Sequence, residues 1–178
     1  MKKLSLLRHA KSDWQDAALR DFDRPLNDKG KRVARAMGHW IAQQKIGFDK
    51  VIASPAIRVE ETIEHFANGY EKRLNIEWDR KIYLASSATI LDLVRDCTDE
   101  EHILIVGHNP GIEDVIFDLV SDDGSSLRNM VEKKYPTGAY AQLHIETQKW
   151  ADISSSATSL EVFMPPRDLD ASFGPDIL

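Results

Sequence analysis

The chain has 178 residues, 42% of them hydrophobic and 29% charged, with a formal net charge of −6, which is the composition of a single ordinary globular domain. The acidic balance gives no case for nucleic acid or an anionic membrane as partner, so an anion site must be a local positive focus. One cysteine excludes an internal disulfide and a cysteine metal cluster, no apolar run approaches the roughly 18 residues of a membrane span, and the apolar stretch before Arg8 is too short for a signal peptide; the expectation is a cytoplasmic protein, monomeric by its size.

Residues 3–7 read as a first strand, running out into Arg8 and His9. Residues 10–25 are a polar, aspartate-rich loop, long enough to help build a site. Asn27 is a plausible N-cap for a helix to about Gln44, with Val33, Met37, Trp40 and Ile41 on one face and Gly47 as the stop. A second strand is expected at 48–53. Ser54 as N-cap with Pro55 in first position predicts a helix that Asn68-Gly69 closes. A short strand at 74–78 and a connector at 82–86 lead to a helix at 87–97, with Ile90, Leu91, Val94 and Cys97 inward.

His102-Ile103-Leu104-Ile105-Val106 is a nearly continuous apolar run, the pattern of a strand covered on both faces. It enters Gly107-His108-Asn109-Pro110-Gly111, and a helix follows through Ile112, Ile116 and Leu119. Residues 127–133 are ambiguous. Strands are expected at 139–145 and, as an edge, at 160–163, and residues 165–178 form a surface-running tail. Alternation of strands and long helices predicts an α/β three-layer sandwich with a mostly parallel central sheet, in one domain over 1–178, with one late strand antiparallel.

In a parallel sheet the first, second and fourth strands would end on the same edge, where active sites form. Arg8, His9, Arg58 and His108 would then converge with a helix start. Guanidinium forks match phosphate oxygens, and helix-start N–H groups favour anions. Two histidines beside two arginines argue against a metal, which would want carboxylates or a third histidine. His39, His65, His102 and His144 lack ligand spacing with His9 and are expected in surface or boundary packing. What remains is attack at phosphorus by a neutral imidazole, with Arg8, Arg58 and His108 holding the equatorial oxygens.

The Arg8-His9 pair in LLRHAKS, the SPAIR segment ending at Arg58, and GHNPG at 107–111 resemble the histidine phosphatase superfamily, which has the phosphoglycerate mutase-like fold, and most closely its small SixA-type branch. DRPLNDKG at 23–30, PTGAYAQL at 136–143 and FMPPRDL at 163–169 extend the resemblance over nearly the whole chain. The resemblance implies His9 as the phosphorylated nucleophile, Arg8 and Arg58 as phosphate clamps, and His108 as a donor to a phosphoryl oxygen. Ser12 and Asn109 would flank the phosphate, with turn or helix capping an equal alternative. No cofactor and no metal are implied.

One departure bears on the substrate. Larger members carry an acid after the third strand region, where this chain has Leu84 following Tyr83. Ester leaving groups need a proton in the transition state, and a phosphoramidate nitrogen gains one more easily. The expected function is therefore a metal-independent phosphatase acting on protein phosphohistidine. A phosphomonoesterase for a sugar phosphate or nucleotide, and a phosphate-binding protein without turnover, are the alternatives. Asp13, Glu60 and Glu61 are candidate substitutes for the acid.

Overall fold

The computed structural model describes residues 1–174. A six-stranded sheet has the order β3-β2-β4-β1-β5-β6, built from β1 (Lys2–Arg8), β2 (Lys50–Ala53), β3 (Ile76–Trp78), β4 (His102–Gly107), β5 (Tyr140–Ile145) and β6 (Thr158–Met164). β1, β2, β3 and β4 pair in parallel, and β5 pairs antiparallel with both β1 and β6. Only β5 therefore runs against the rest, as the short late connections predict. The helices are α1 (Asp28–Gln43), α2 (Ile57–Tyr70), α3 (Ser87–Arg95), α4 (Gly111–Leu119), α5 (Ser126–Lys133) and α6 (Pro166–Leu169).

The strands alternate their side chains between two apolar layers, which is why the central ones read as unbroken hydrophobic runs. Leu4, Leu6, Ile103 and Ile105 face Ile90, Val94, Ile112, Val115 and Ile116 of α3 and α4. Leu7, Leu104 and Val106 face Met37, Ile41, Val59, Ile63 and Phe66 of α1 and α2. The result is the expected three-layer sandwich. Cys97 is buried at the first layer's margin.

Several element boundaries depart from the sequence pattern. Ser54 does not cap α2: the helix starts at Ile57 after Ala56, with no side-chain cap. Asn68-Gly69 does not end it either. α2 runs on to Tyr70 and stops where Glu71 turns left-handed, at φ 58°. Gly69 is there for contact, because a Cβ on it would meet the Arg35 carbonyl oxygen of α1. α1 ends at Gln43, before Gly47, with Lys45 taking the positive φ. Asn27 caps α1 as expected, accepting from the Gly30 N–H at 2.8 Å. Residues 127–133 are helical, in α5. The tail expected at 165–178 is described only to Gly174. Its α6 packs against α1, and residues 175–178 lie outside the described residues.

Candidate active site

β1, β2 and β4 end side by side, so the chain turns leaving them share the C-terminal edge of the sheet. Arg8 closes β1 and His9 follows it; Arg58 sits in the first turn of α2, and His108 follows β4. The backbone fixes this junction: His9 N–H donates to the Gly107 carbonyl at 3.0 Å, and Gly138 N–H donates to the His9 carbonyl at 2.9 Å. Gly138, at φ +77°, lies against Val33, where a Cβ would clash. The start of α1 closes on the same junction, because Gly30 has the Lys11 carbonyl where a Cβ would be.

The four predicted residues meet. The His9 and His108 rings are 5.3 Å apart between centroids. Arg58 Nη2 lies 3.2 Å from His108 Nδ1. His9 is 8% exposed, and its Nδ1 lies 2.7 Å from the Ala10 carbonyl oxygen. A carbonyl only accepts, so Nδ1 carries the proton in the neutral ring and the lone pair is on Nε2. Burial pushes the His9 pKa down to about 3, with Arg58, His108 and Arg8 adding to the fall. The ring is thus neutral at physiological pH.

His108 is fixed as the opposite tautomer. A guanidinium only donates, so Nδ1 accepts from Arg58. Nε2–H then donates to the Ser54 hydroxyl, 2.8 Å away. Burial first, then Arg58, lowers its pKa to about 4. Arg8 donates from Nη1 to the Tyr135 carbonyl at 2.9 Å.

Asp21, in a short 3-10 turn of the aspartate-rich loop, is a site residue the sequence did not single out. Arg58 donates to its carbonyl at 2.7 Å and to its carboxylate at 3.0 Å. The Tyr83 hydroxyl donates to the same carboxylate oxygen at 2.6 Å. Those bonds, Tyr83 first, hold its pKa below the usual value. Thr62 ties the parts together: it accepts from Ala10 N–H at 3.0 Å and donates to the Arg58 carbonyl at 2.6 Å. A hydroxyl four residues after an arginine on a helix was the available signal, and it is a weak one.

The two flanking residues have different surroundings. Ser12 is buried at the cleft wall, bridged to Leu26. Asn109 donates to the Tyr135 carbonyl at 3.2 Å and accepts from the Glu113 N–H at 3.3 Å. It thus shares the Tyr135 carbonyl with Arg8. The candidate acids lie elsewhere: Asp13 accepts from Gln15 N–H at 2.8 Å, Glu61 accepts from Leu26 N–H at 2.6 Å, and Glu60 is exposed. Leu84 is 58% exposed. Of the remaining histidines, His102 bonds to the Ser5 hydroxyl at 2.7 Å, His39 to Gln43 at 3.0 Å, and His144 lies 3.6 Å from Glu161.

Arg8, His9 and Arg58 open into a cleft of about 720 Å³, walled by the loop after β1, the start of α1, the segment around Pro136 and the stretch from Pro165 to Gly174. Among the described residues no group of three or more His, Cys, Asp or Glu side chains is placed to hold a metal ion. No helix among them is long and apolar enough to cross a membrane.

In comparisons with known proteins, residues 4–82 match the histidine phosphatase superfamily (branch 1). The chain is 29% identical over 164 residues to an uncharacterized protein of Mycobacterium tuberculosis, covering 90% of this chain and 100% of that one. It is 31% identical over 94 residues to the phosphohistidine phosphatase SixA of Escherichia coli, covering 53% of this chain and 50% of that protein. A solved structure of a SixA phosphohistidine phosphatase candidate from Agrobacterium tumefaciens superimposes with a TM-score of 0.79 at 27% identity, over 93% of this chain and 98% of that one. Sequence match and backbone likeness point the same way: the chain matches the histidine phosphatase superfamily over residues 4–82, and its fold is similar to that of SixA-type structures along nearly its whole length.

Proposed function

We propose that this protein is a metal-independent phosphatase that hydrolyses phosphohistidine in proteins through a phosphorylated His9. Phosphatase chemistry on a histidine nucleophile comes with the superfamily. The observation that carries the proposal is the His9 ring: its Nδ1 is tied to the Ala10 carbonyl, it is uncharged at neutral pH, and it borders a cationic cleft.

In this reading the Nε2 lone pair attacks phosphorus in line. The Nε2–P bond forms as the substrate P–N bond breaks, and the departing imidazole nitrogen takes a proton from solvent. Arg8 and Arg58 bind the equatorial oxygens as charge spreads over them. His108 takes part after Arg58 turns to the phosphoryl oxygens: its Nδ1 then gives up the Arg58 bond, takes a proton from solvent as the phosphoryl charge arrives, and donates it as a hydrogen bond to a phosphoryl oxygen, returning the proton to solvent when phosphate leaves. Water then attacks phosphorus, the Nε2–P bond breaks, and inorganic phosphate leaves with His9 neutral again.

The preference for a nitrogen leaving group rests on the cleft's acids. Among the described residues that line it Asp21 is the sole carboxylate, and its lowered pKa keeps it ionised. An ionised carboxylate bound to Arg58 and Tyr83 has no proton to give an alkoxide. A phosphoramidate needs none from the enzyme.

The test is a substrate panel with chelator present: a phosphohistidine protein, p-nitrophenyl phosphate and sugar phosphates, compared by kcat/KM. The phosphohistidine protein is expected to lead. His9→Ala is expected to lose at least about a hundredfold, the scale of removing a catalytic group. Near-full activity in that variant would end the nucleophile assignment. Fast ester turnover with no phosphoramidate turnover would establish the small-molecule phosphomonoesterase instead.

A further inference from the structure

Resting on the reading of His9 as a phosphorylated nucleophile, we infer that the Asp21 carboxylate is a release device: it shares Arg58 with the phosphoryl group and weakens the cleft's hold on the phosphate that hydrolysis leaves behind. Arg58 is buried, and Asp21 meets it at two points, with Nη1 donating to the main-chain carbonyl at 2.7 Å and Nη2 to the carboxylate at 3.0 Å. Nη2 also faces His108 Nδ1 at 3.2 Å. Both hydrogens of Nη2 are then in use, so a phosphoryl oxygen reaches that nitrogen only by displacing a partner. With the His108 bond given up, the guanidinium serves carboxylate and phosphoryl group at once. Arg8, by contrast, donates to the neutral carbonyl of Tyr135. The two arginines beside His9 are therefore unequal, and one of them holds phosphate against a competing anion.

The carboxylate is kept in place by contacts that do not include Arg58. The Tyr83 hydroxyl donates to the same carboxylate oxygen at 2.6 Å. Phe22, the next residue, meets the Tyr83 ring edge to face with centroids 5.0 Å apart, and the Arg80 guanidinium carbon lies 5.2 Å from the Phe22 centroid. Tyr83 in turn stands edge-on to His108 at 5.4 Å. The short turn bearing Asp21 is thus pinned to the segment after β3, and its charge stays beside the phosphate site whatever Arg58 does. A dianion gripped by guanidinium forks is bound strongly, and a fixed like charge on the far side of one fork opposes that grip. Orienting Arg58 alone would need no charge, since the Asp21 carbonyl and a neutral side-chain oxygen could both accept from it.

The test is the binding of inorganic phosphate to the whole protein, followed by calorimetry with no substrate present. Asp21→Asn keeps the main-chain bond to Arg58 and an oxygen for the Tyr83 hydroxyl, and removes the charge. It is expected to bind phosphate about tenfold more tightly than the wild type, a modest factor because the Asp21 side chain is half exposed. The gain should shrink between about 0.1 M and about 1 M salt, as the screening length falls from about 10 Å to about 3 Å. A purely orienting role predicts the opposite sign, because a looser Arg58 holds phosphate less well. Tyr83→Phe keeps the carboxylate and is expected to bind phosphate no more tightly than the wild type.

Equal or weaker phosphate binding by folded Asp21→Asn overturns the release role, as does equal tightening in Tyr83→Phe. Asp21→Ser carries the same expectation by the same measurement if the asparagine variant does not fold. In turnover of a phosphohistidine protein, the inhibition constant of added phosphate should fall by the same factor in Asp21→Asn. Tighter phosphate in that variant, with no phosphohistidine turnover by the wild type, overturns the proposed substrate and leaves the release role standing. Phosphohistidine turnover with unchanged phosphate binding overturns the release role alone.

Discussion

The proton on His108 is placed from two sides, by a guanidinium that cannot accept and a serine that can. Ser54 is fully buried and its hydroxyl also receives the Ala56 N–H at 3.3 Å. Ser54→Ala would leave the Nε2–H of His108 buried without an acceptor, a cost of about 1–3 kcal/mol. The ring would then be free to turn or to change tautomer. We expect kcat to fall by roughly ten- to a hundredfold, with KM changing less, and the nitrogen shifts of His108 to show the proton no longer confined to Nε2. An unchanged tautomer at full activity would remove Ser54 from the mechanism. Sequence reading took this serine for a helix cap because Ser-Pro before an apolar turn has that local form. Its actual partner is 54 positions away, and no local pattern reports that. Arg8, His9, Arg58 and His108 were legible because strand ends in a parallel sheet share an edge. Asp21 was not, since several aspartates crowd the same loop and only the fold selects the one that reaches Arg58.

At the scale of elements, α1 and α2 cross with their backbones in contact. A Cβ at Gly69 would sit 2.0 Å from the Arg35 carbonyl oxygen, and one at Gly38 would sit 2.1 Å from that of Phe66. Gly69→Ala brings two opposed effects. Helix propensity favours alanine by about 1 kcal/mol. The clash is with main chain, which cannot rotate away, and overpacking of this kind costs about 1–3 kcal/mol or more. The clash should win, lowering the unfolding free energy read from denaturation by up to about 2 kcal/mol. Because α2 carries Arg58, kcat/KM should fall in the same variant. A more stable Gly69→Ala protein would show that the helices separate without cost. The same contact explains why Asn68-Gly69 was misread as a helix end. In sequence the pair is a turn signal, and the close approach that gives the glycine its role involves a helix some 30 residues earlier. The strands were more legible, since an apolar run such as 102–106 has few other places to go. The folding of residues 165–174 onto α1 had no periodic signature.

For the whole molecule, burial of histidines links the chemistry to acid stability. His9 is shifted to about 3, and His102 and His108 to about 4, from an ordinary 6.5. The leading cause in each is desolvation, reinforced by neighbouring cations. All three folded pKa values lie below the unfolded ones. The stability they confer is therefore fully present above about pH 6.5 and is lost as pH falls toward 4 and 3. In that window the unfolded chain binds up to three protons that the folded chain refuses. Each contributes about 1.4 kcal/mol per pH unit, so the limiting slope is roughly 4 kcal/mol per unit. The midpoint in urea should begin to fall just below pH 6.5, before carboxylates with ordinary or lowered pKa values start to protonate. His102→Gln isolates one of the three without touching the cleft, because His102 opens β4 at the opposite sheet edge and bonds to Ser5. It should reduce the slope between pH 6.5 and 4.5 by about a third. A flat stability profile down to pH 5 would mean the rings accept protons in the folded state. In that case His9 would titrate near its ordinary value, and its lone pair would be lost below about pH 6.5 instead of persisting into the acid range.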